Sequence, residues 1–299
     1  MRNGSEKTPS HRTVLLVLLV LLIPVAGLLG WLLGRGVTPT AELKDVDVIP
    51  DHGHGLFSWH DEVFEQEERE ILLRLMREQG LTELYQDIPF SHSTDEIQEL
   101  LEACTAEGIR LYLLVGEPEW ALDTSAKELR AEIQRAALIG CAGIMVDIEP
   151  GSTNKWKKDR DSAMDSMMKS LLRAKAAAEL EKLEMIVCLS WYYDDYGYAA
   201  QLDHIVSEGC DALAIMNYDR TDEIGQIETE AALCLKYGRP LINIYELQEV
   251  GKYDLEEIHT YRDAGLPALR ESWDELRSAY SDQEISAALH EYRALKAMS

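Results

Sequence analysis

The sequence predicts a (β/α)8 TIM barrel preceded by one N-terminal transmembrane helix, and two observations carry that prediction. The first is an uncharged apolar stretch near the N-terminus. The second is a set of eight short apolar runs over residues 55–290, most followed by a charged amphipathic stretch of helical length. The runs are GLFSW (55–59), LTELYQDI (81–88), IRLYLLV (109–115), AGIMVDI (142–148), EMIVCLS (184–190), DALAIM (211–216), PLINIY (240–245) and ISAALH (285–290). Between them lie stretches such as EEREILLRLMREQG and AKELRAEIQRAALIG, with apolar residues at three and four spacing and a closing Gly as helix stop. Eight such units in about 250 residues match the size of this barrel. An open doubly wound sheet is the main alternative, but no Gly-rich phosphate loop follows the first strand.

The N-terminal part divides into three. Residues 1–12 are a basic, cytoplasmic lead with Arg2, Lys7 and Arg12. Residues 13–33 (TVLLVLLVLLIPVAGLLGWLL) are long enough to cross a bilayer, with Trp31 as interfacial anchor. Residues 34–50 read as a linker to a domain over 51–299. Basic residues before the span and a largely acidic chain after it place that domain on the extracytoplasmic side of the membrane. A cleaved signal peptide ending near PVAG (24–27) is the competing reading.

Composition excludes several classes of function. The chain has 29 basic and 54 acidic residues, a net charge of −25, and no basic patch was found, so nucleic acid is not an expected partner. Five scattered cysteines without a C-x-x-C pair suggest neither a disulfide framework nor zinc, and read as small buried hydrophobes. The one metal-like pattern, His52-Gly53-His54, is similar to the H-x-H of amidohydrolase barrels, but it precedes the first strand and so lies at the wrong end. No metal and no cofactor are expected.

Barrel chemistry sits at the C-terminal strand ends, so the polar residues there are the candidates. They include Trp59, Tyr85, Glu117, Trp120, Asp147, Glu149, Trp191, Asn217, Tyr218, Asp219, Glu246, His290 and Tyr292. Aromatic faces and carboxyl groups in one pocket suit a sugar: rings stack on pyranose faces and carboxyls move protons at a glycosidic oxygen. Strand alternation puts Asp147 and Glu149 on one face, where each disfavours ionisation of the other, so that a Glu can hold a proton near neutral pH.

The segment Ala142 to Glu149 resembles the strand-four signature D-G-x-D-x-D-x-E of family 18 glycoside hydrolases, the chitinase-like barrels, and Met216 to Asp219 (MNYD) resembles their strand-six M-x-Y-D. The resemblance implies Glu149 as the acid, Asp147 as the residue orienting a substrate acetamido group that acts as internal nucleophile, and Tyr218 as its support. The first two Asp positions are Ala142 and Met145 here, and the strand-eight Trp has no match. The whole domain is similar to a group of bacterial membrane-anchored barrels with W-x-x-E-V (59–63), G-x-P-x-W-A-L (116–122), D-x-E-P (147–150) and H-x-Y (290–292). A further resemblance, to retaining glycosidase barrels, implies Glu149 as acid and Glu246 as nucleophile, with Ile148 where that group has Asn. Carboxyl groups about 5–5.5 Å apart would permit direct attack, and about 6.5–9.5 Å would leave room for a water.

The expected function is therefore cleavage of a glycosidic bond in a polysaccharide by carboxylate chemistry. The expected catalytic residues are Glu149, Asp147, Glu246 and Tyr218, and the other residues at the strand ends would bind substrate. The alternative is a barrel that binds glycan without cleaving it.

Overall fold

A computed structural model describes residues 53–299. The expected cytoplasmic lead, membrane span and linker, and His52, lie outside the described residues. Among the described residues no helix is long and apolar enough to cross a membrane.

The described chain is a closed barrel of eight parallel strands in sequential order. The strands are β1 (His54–Ser58), β2 (Leu81–Gln86), β3 (Arg110–Val115), β4 (Gly143–Val146), β5 (Glu184–Ser190), β6 (Ala212–Met216), β7 (Leu241–Glu246) and β8 (Ile285–His290). Each apolar run of the sequence becomes one strand, trimmed by no more than two residues at an end or extended by one. The outer helices are α1 (Gln66–Gln79), α2 (Thr94–Ala106), α3 (Lys127–Ile139), α4 (Asn154–Lys158), α5 (Arg160–Glu181), α6 (Ala199–Glu208), α7 (Glu228–Tyr237), α8 (Gly265–Ala279) and α9 (Tyr292–Met298).

The helix boundaries follow from capping chemistry. Ser93 and Glu96 form a reciprocal capping box at the start of α2. Gly80 closes α1 in the left-handed region at φ 70°, where a side chain would be strained, and β2 begins at the next residue.

Strand alternation builds two cores. Outward residues such as Leu56, Leu84, Leu113 and Ile144 meet the inner faces of the helices. Inward residues, including Phe57, Tyr85, Leu114, Met145, Ile186, Ala214, Ile244 and Ala288, fill the barrel. At the N-terminal end the interior is closed by polar groups. Arg110 bridges Glu83 and Glu184, while Tyr85 donates to Glu83 at 2.5 Å and Tyr112 to Glu184 at 2.6 Å. The interior is a packed core, and space opens at the C-terminal mouth.

All five cysteines are free and buried, as their apolar surroundings suggested. His54 sits at the start of β1. Its Nδ1 accepts from the Ala287 N–H, its ring meets Trp273 edge-on, and burial lowers its pKa. It is a structural histidine at the end of the barrel opposite the mouth. Among the described residues no group of three or more His, Cys, Asp and Glu is arranged to hold a metal ion.

Candidate active site

The candidate site is the inward alternation carried one step past the strand ends. Above Phe57 comes Trp59, above Met145 come Asp147 and Glu149, and above Cys188 comes Ser190. Above Met216, Ile244 and Ala288 come Tyr218, Glu246 and His290. The Asp147 N–H donates to the Val115 carbonyl at 2.8 Å, so the β3–β4 ladder holds its orientation. Pro150 keeps Glu149 extended, at φ −90° and ψ 108°, and the period of two survives beyond the last strand residue.

These side chains surround a cleft of two adjoining lobes. The outer lobe, about 600 Å³, reaches Trp59, Trp156, Tyr192 and Tyr196. The deeper lobe, about 450 Å³, reaches Cys188, Trp191, Tyr218 and Glu246. Asp147, Glu149, Tyr192, Tyr253 and His290 border both lobes, which puts the carboxyl pair at their junction. Gly116 makes room for the Trp59 ring, since a Cβ there would lie 2.4 Å from it.

The electrostatics follow from burial. Burial and then the Glu149 charge push the Asp147 carboxyl up to about 7, against the opposing influence of His290 and a hydrogen bond from the Cys188 thiol. Burial also raises Glu149, while the Ser190 hydroxyl donates to its Oε2 at 3.0 Å and holds the rise in check. Both acids are thus shifted toward their protonated forms. Asp147 Oδ1 is buried and has no hydrogen-bond partner. Burial, with Glu246 and then Cys188, Asp147 and Glu149 nearby, holds the Tyr218 hydroxyl well above the usual phenol range, so it stays a donor.

Glu246 is 4% exposed and its oxygens are engaged. Oε1 accepts from the Leu247 and Gln248 N–H groups at 2.9 and 2.8 Å, and Oε2 meets His290 Nδ1 at 2.8 Å. The other imidazole nitrogen, Nε2, accepts from the Trp59 indole N–H at 3.1 Å. For His290, burial pulls the pKa down, but the hydrogen bond and charge of Glu246, with Asp147 and Glu291, outweigh it and leave the pKa raised. The Trp59 N–H opposes that rise, because a protonated Nε2 would set two donors against each other. The His290–Glu291 peptide bond is cis.

Of the residues expected from sequence, Asp147, Glu149, Tyr218, Glu246, His290, Trp59 and Trp191 come together here. Six do not. Tyr85 lies one layer below the mouth, fully buried, with its hydroxyl turned to Glu83 at the far end. Asn217 points outward, 2% exposed, and donates to Asn243 Oδ1 and the Glu223 carbonyl. Asp219 caps a turn through Thr221. Glu117 is exposed and borders neither lobe. Trp120 packs on the outer core. Tyr292 is buried outside the barrel, donating to Glu68 at 2.6 Å. Trp156 was not foreseen. Thr153 caps the start of α4, and that short helix sets Trp156 against Tyr193 and Tyr198 along the cleft wall.

No protein-family profile matches the chain, and a search of curated proteins finds no match. Solved structures do match the fold. A plant class V chitinase mutant from Cycas revoluta, in complex with (GlcNAc)3, is 11% identical with a TM-score of 0.53, covering 82% of this chain and 96% of that one. D-Psicose 3-epimerase from Clostridium cellulolyticum H10, with D-tagatose, is 13% identical with a TM-score of 0.50, covering 79% and 84%. A xylose isomerase domain protein from Planctomyces limnophilus is 12% identical with a TM-score of 0.50, covering 83% and 93%. At such identities the likeness shows a shared barrel fold.

Proposed function

We propose that the chain is a glycoside hydrolase-like barrel that cleaves a glycosidic bond of a polysaccharide, with Glu149 as proton donor. One observation carries this reading: Asp147 and Glu149 occupy successive inward positions at the junction of the cleft, both half-buried and both with raised pKa. A carboxyl group whose pKa is raised in this way is better suited to protonate a leaving oxygen, and as a carboxylate can then take a proton from water. Ser190 occupies Oε2, which leaves Oε1 to carry the proton. The family 18 resemblance supports an acetamido sugar as substrate. Asp147 would orient the acetamido group through its unpartnered oxygen, and the Tyr218 hydroxyl would donate to the acetamido carbonyl as it attacks C1 and the C1–O bond breaks. The likeness to a chitinase solved with an N-acetylglucosamine oligomer is in keeping with that class.

In the same reading residues 13–33 anchor the chain and the barrel faces the extracytoplasmic side, where cell-envelope or environmental polysaccharide is met. The acidic net charge argues against nucleic acid as partner. A glycan-binding barrel without turnover is the second reading. It is favoured by Met145, which stands buried one layer below Asp147 where the signature has an acid.

The test is product release by the full chain from a panel of polysaccharides and from chitotetraose, beside Glu149→Gln. Turnover lost in the variant supports the reading. Turnover that survives in the variant removes Glu149 as the acid, and retention on a glycan without turnover by the wild type favours the binding reading.

A further inference from the structure

Glu246, His290 and Trp59 form a hydrogen-bonded chain across the cleft floor in which every donor and acceptor is determined. An indole N–H can only donate, so His290 Nε2 must accept from Trp59 at 3.1 Å, and the imidazole proton is on Nδ1. That proton faces Glu246 Oε2 at 2.8 Å, while two backbone N–H groups occupy Oε1. Glu246 must therefore accept at both oxygens. A carboxamide in its place would set an NH2 against the Leu247 and Gln248 N–H groups or against the His290 N–H. In the second case the imidazole proton moves to Nε2 and confronts the Trp59 N–H. At the far end the indole lies over Gly116, in a space only a glycine leaves open.

We propose that Glu246 is a positioning residue and not a nucleophile: through the Nδ1–H tautomer of His290 it holds the Trp59 indole as a fixed sugar platform beside the Asp147–Glu149 pair. A carboxylate held by three donors is poorly placed to attack an anomeric carbon, since attack requires giving up bonds that orient two other side chains. The platform role rests on the glycosidase reading of the cleft; the chain of bonds does not.

The experiment is NMR of the full chain labelled with 15N-histidine and 15N-tryptophan, with His290 and Trp59 assigned from His290→Asn and Trp59→Phe. The expected wild-type result is an Nδ1–H, Nε2-acceptor imidazole and a protected Trp59 indole N–H. In Glu246→Gln the tautomer should change or the Trp59 N–H should exchange faster by about tenfold, as the loss of one hydrogen bond implies. Trp59→Phe, which keeps an aromatic ring and removes the N–H donor, should leave His290 on Nδ1–H. A wild-type imidazole protonated at Nε2, alone or together with Nδ1, or a Glu246→Gln variant with both signals unchanged, overturns the proposal. A second arm uses an aryl N-acetylglucosaminide: a glycosyl azide formed by Glu246→Ala with azide would show a nucleophile and also overturn it. The NMR arm reads the chain of bonds whether or not any glycan is cleaved. Failure of the glycosidase reading would therefore show separately, as absent turnover with the tautomer intact.

Discussion

Ser190, the last residue of β5, donates its hydroxyl to Glu149 Oε2 at 3.0 Å across the β4–β5 seam. This bond stabilises the carboxylate form and limits the rise in the Glu149 pKa. Ser190→Ala should therefore raise that pKa and move the alkaline limb of kcat/KM to higher pH, with a loss of about tenfold in rate from poorer orientation of the acid. A limb that moves to lower pH would contradict the assigned role.

The Asp147–Glu149 pair predicts its own pH dependence. Asp147 stands at about 7, because burial and its neighbour disfavour ionisation. If the pair must hold one proton, activity falls as pH rises through the region near 7. The Cys188 thiol donates to Asp147 and works in the other direction. Cys188→Ala should raise the Asp147 pKa and carry the limb upward, which a pH–rate profile of the two proteins would show.

Tyr218 keeps its proton in the deeper lobe. Tyr218→Phe retains the ring and removes the donor, so kcat should fall by about 10²-fold or more with a small change in KM, the pattern of an interaction made in the transition state. A change in KM alone would mark Tyr218 as a binding surface.

Glu230 makes a stability prediction away from the cleft. It is fully buried in α7, neither carboxyl oxygen meets a donor from another residue, and burial pushes its pKa from 4.5 up to about 8. Between those values the folded chain keeps a proton that the unfolded chain has released. Its contribution to stability is thus full below pH 4.5 and lost as pH rises through 8, with a slope of up to about 1.4 kcal/mol per unit. Glu230→Gln should match the wild-type Tm near pH 4 and exceed it at pH 8. Equal melting curves at pH 8 would contradict this account of Glu230.

The strands were legible in the sequence because most are near-continuous apolar runs, as parallel barrel strands covered on both faces are. The inward parity of Asp147 and Glu149 was legible for the same reason, and it also reaches Ser190, Tyr218, Glu246, His290 and Trp59. Where side-chain type stood in for parity and depth, the residue lies away from the cleft. Tyr85 is inward but one layer too deep, fully buried in the barrel. Asn217 is an outward residue whose amide serves the backbone and Asn243. Glu117 and Trp120 follow β3 at the cap and inside a short 3-10 helix (Pro118–Leu122), where the strand alternation no longer sets which way a side chain points. The same holds for Trp156, which reaches the cleft through the Thr153 cap and the aromatic cluster of Tyr193 and Tyr198. The engaged state of Glu246 depends on two backbone N–H groups and a histidine 44 residues away, none of which a local pattern records.

The most direct test of Glu149 as proton donor is the dependence of rate on the leaving group in Glu149→Gln. A poor leaving group needs a proton and a dinitrophenolate does not. On an unactivated N-acetylglucosamine oligomer the variant should lose about 10²–10⁴-fold in kcat/KM, while on a dinitrophenyl glycoside of the same sugar it should stay within about tenfold of the wild type. Equal losses on both substrates would contradict the assignment of Glu149 as the acid.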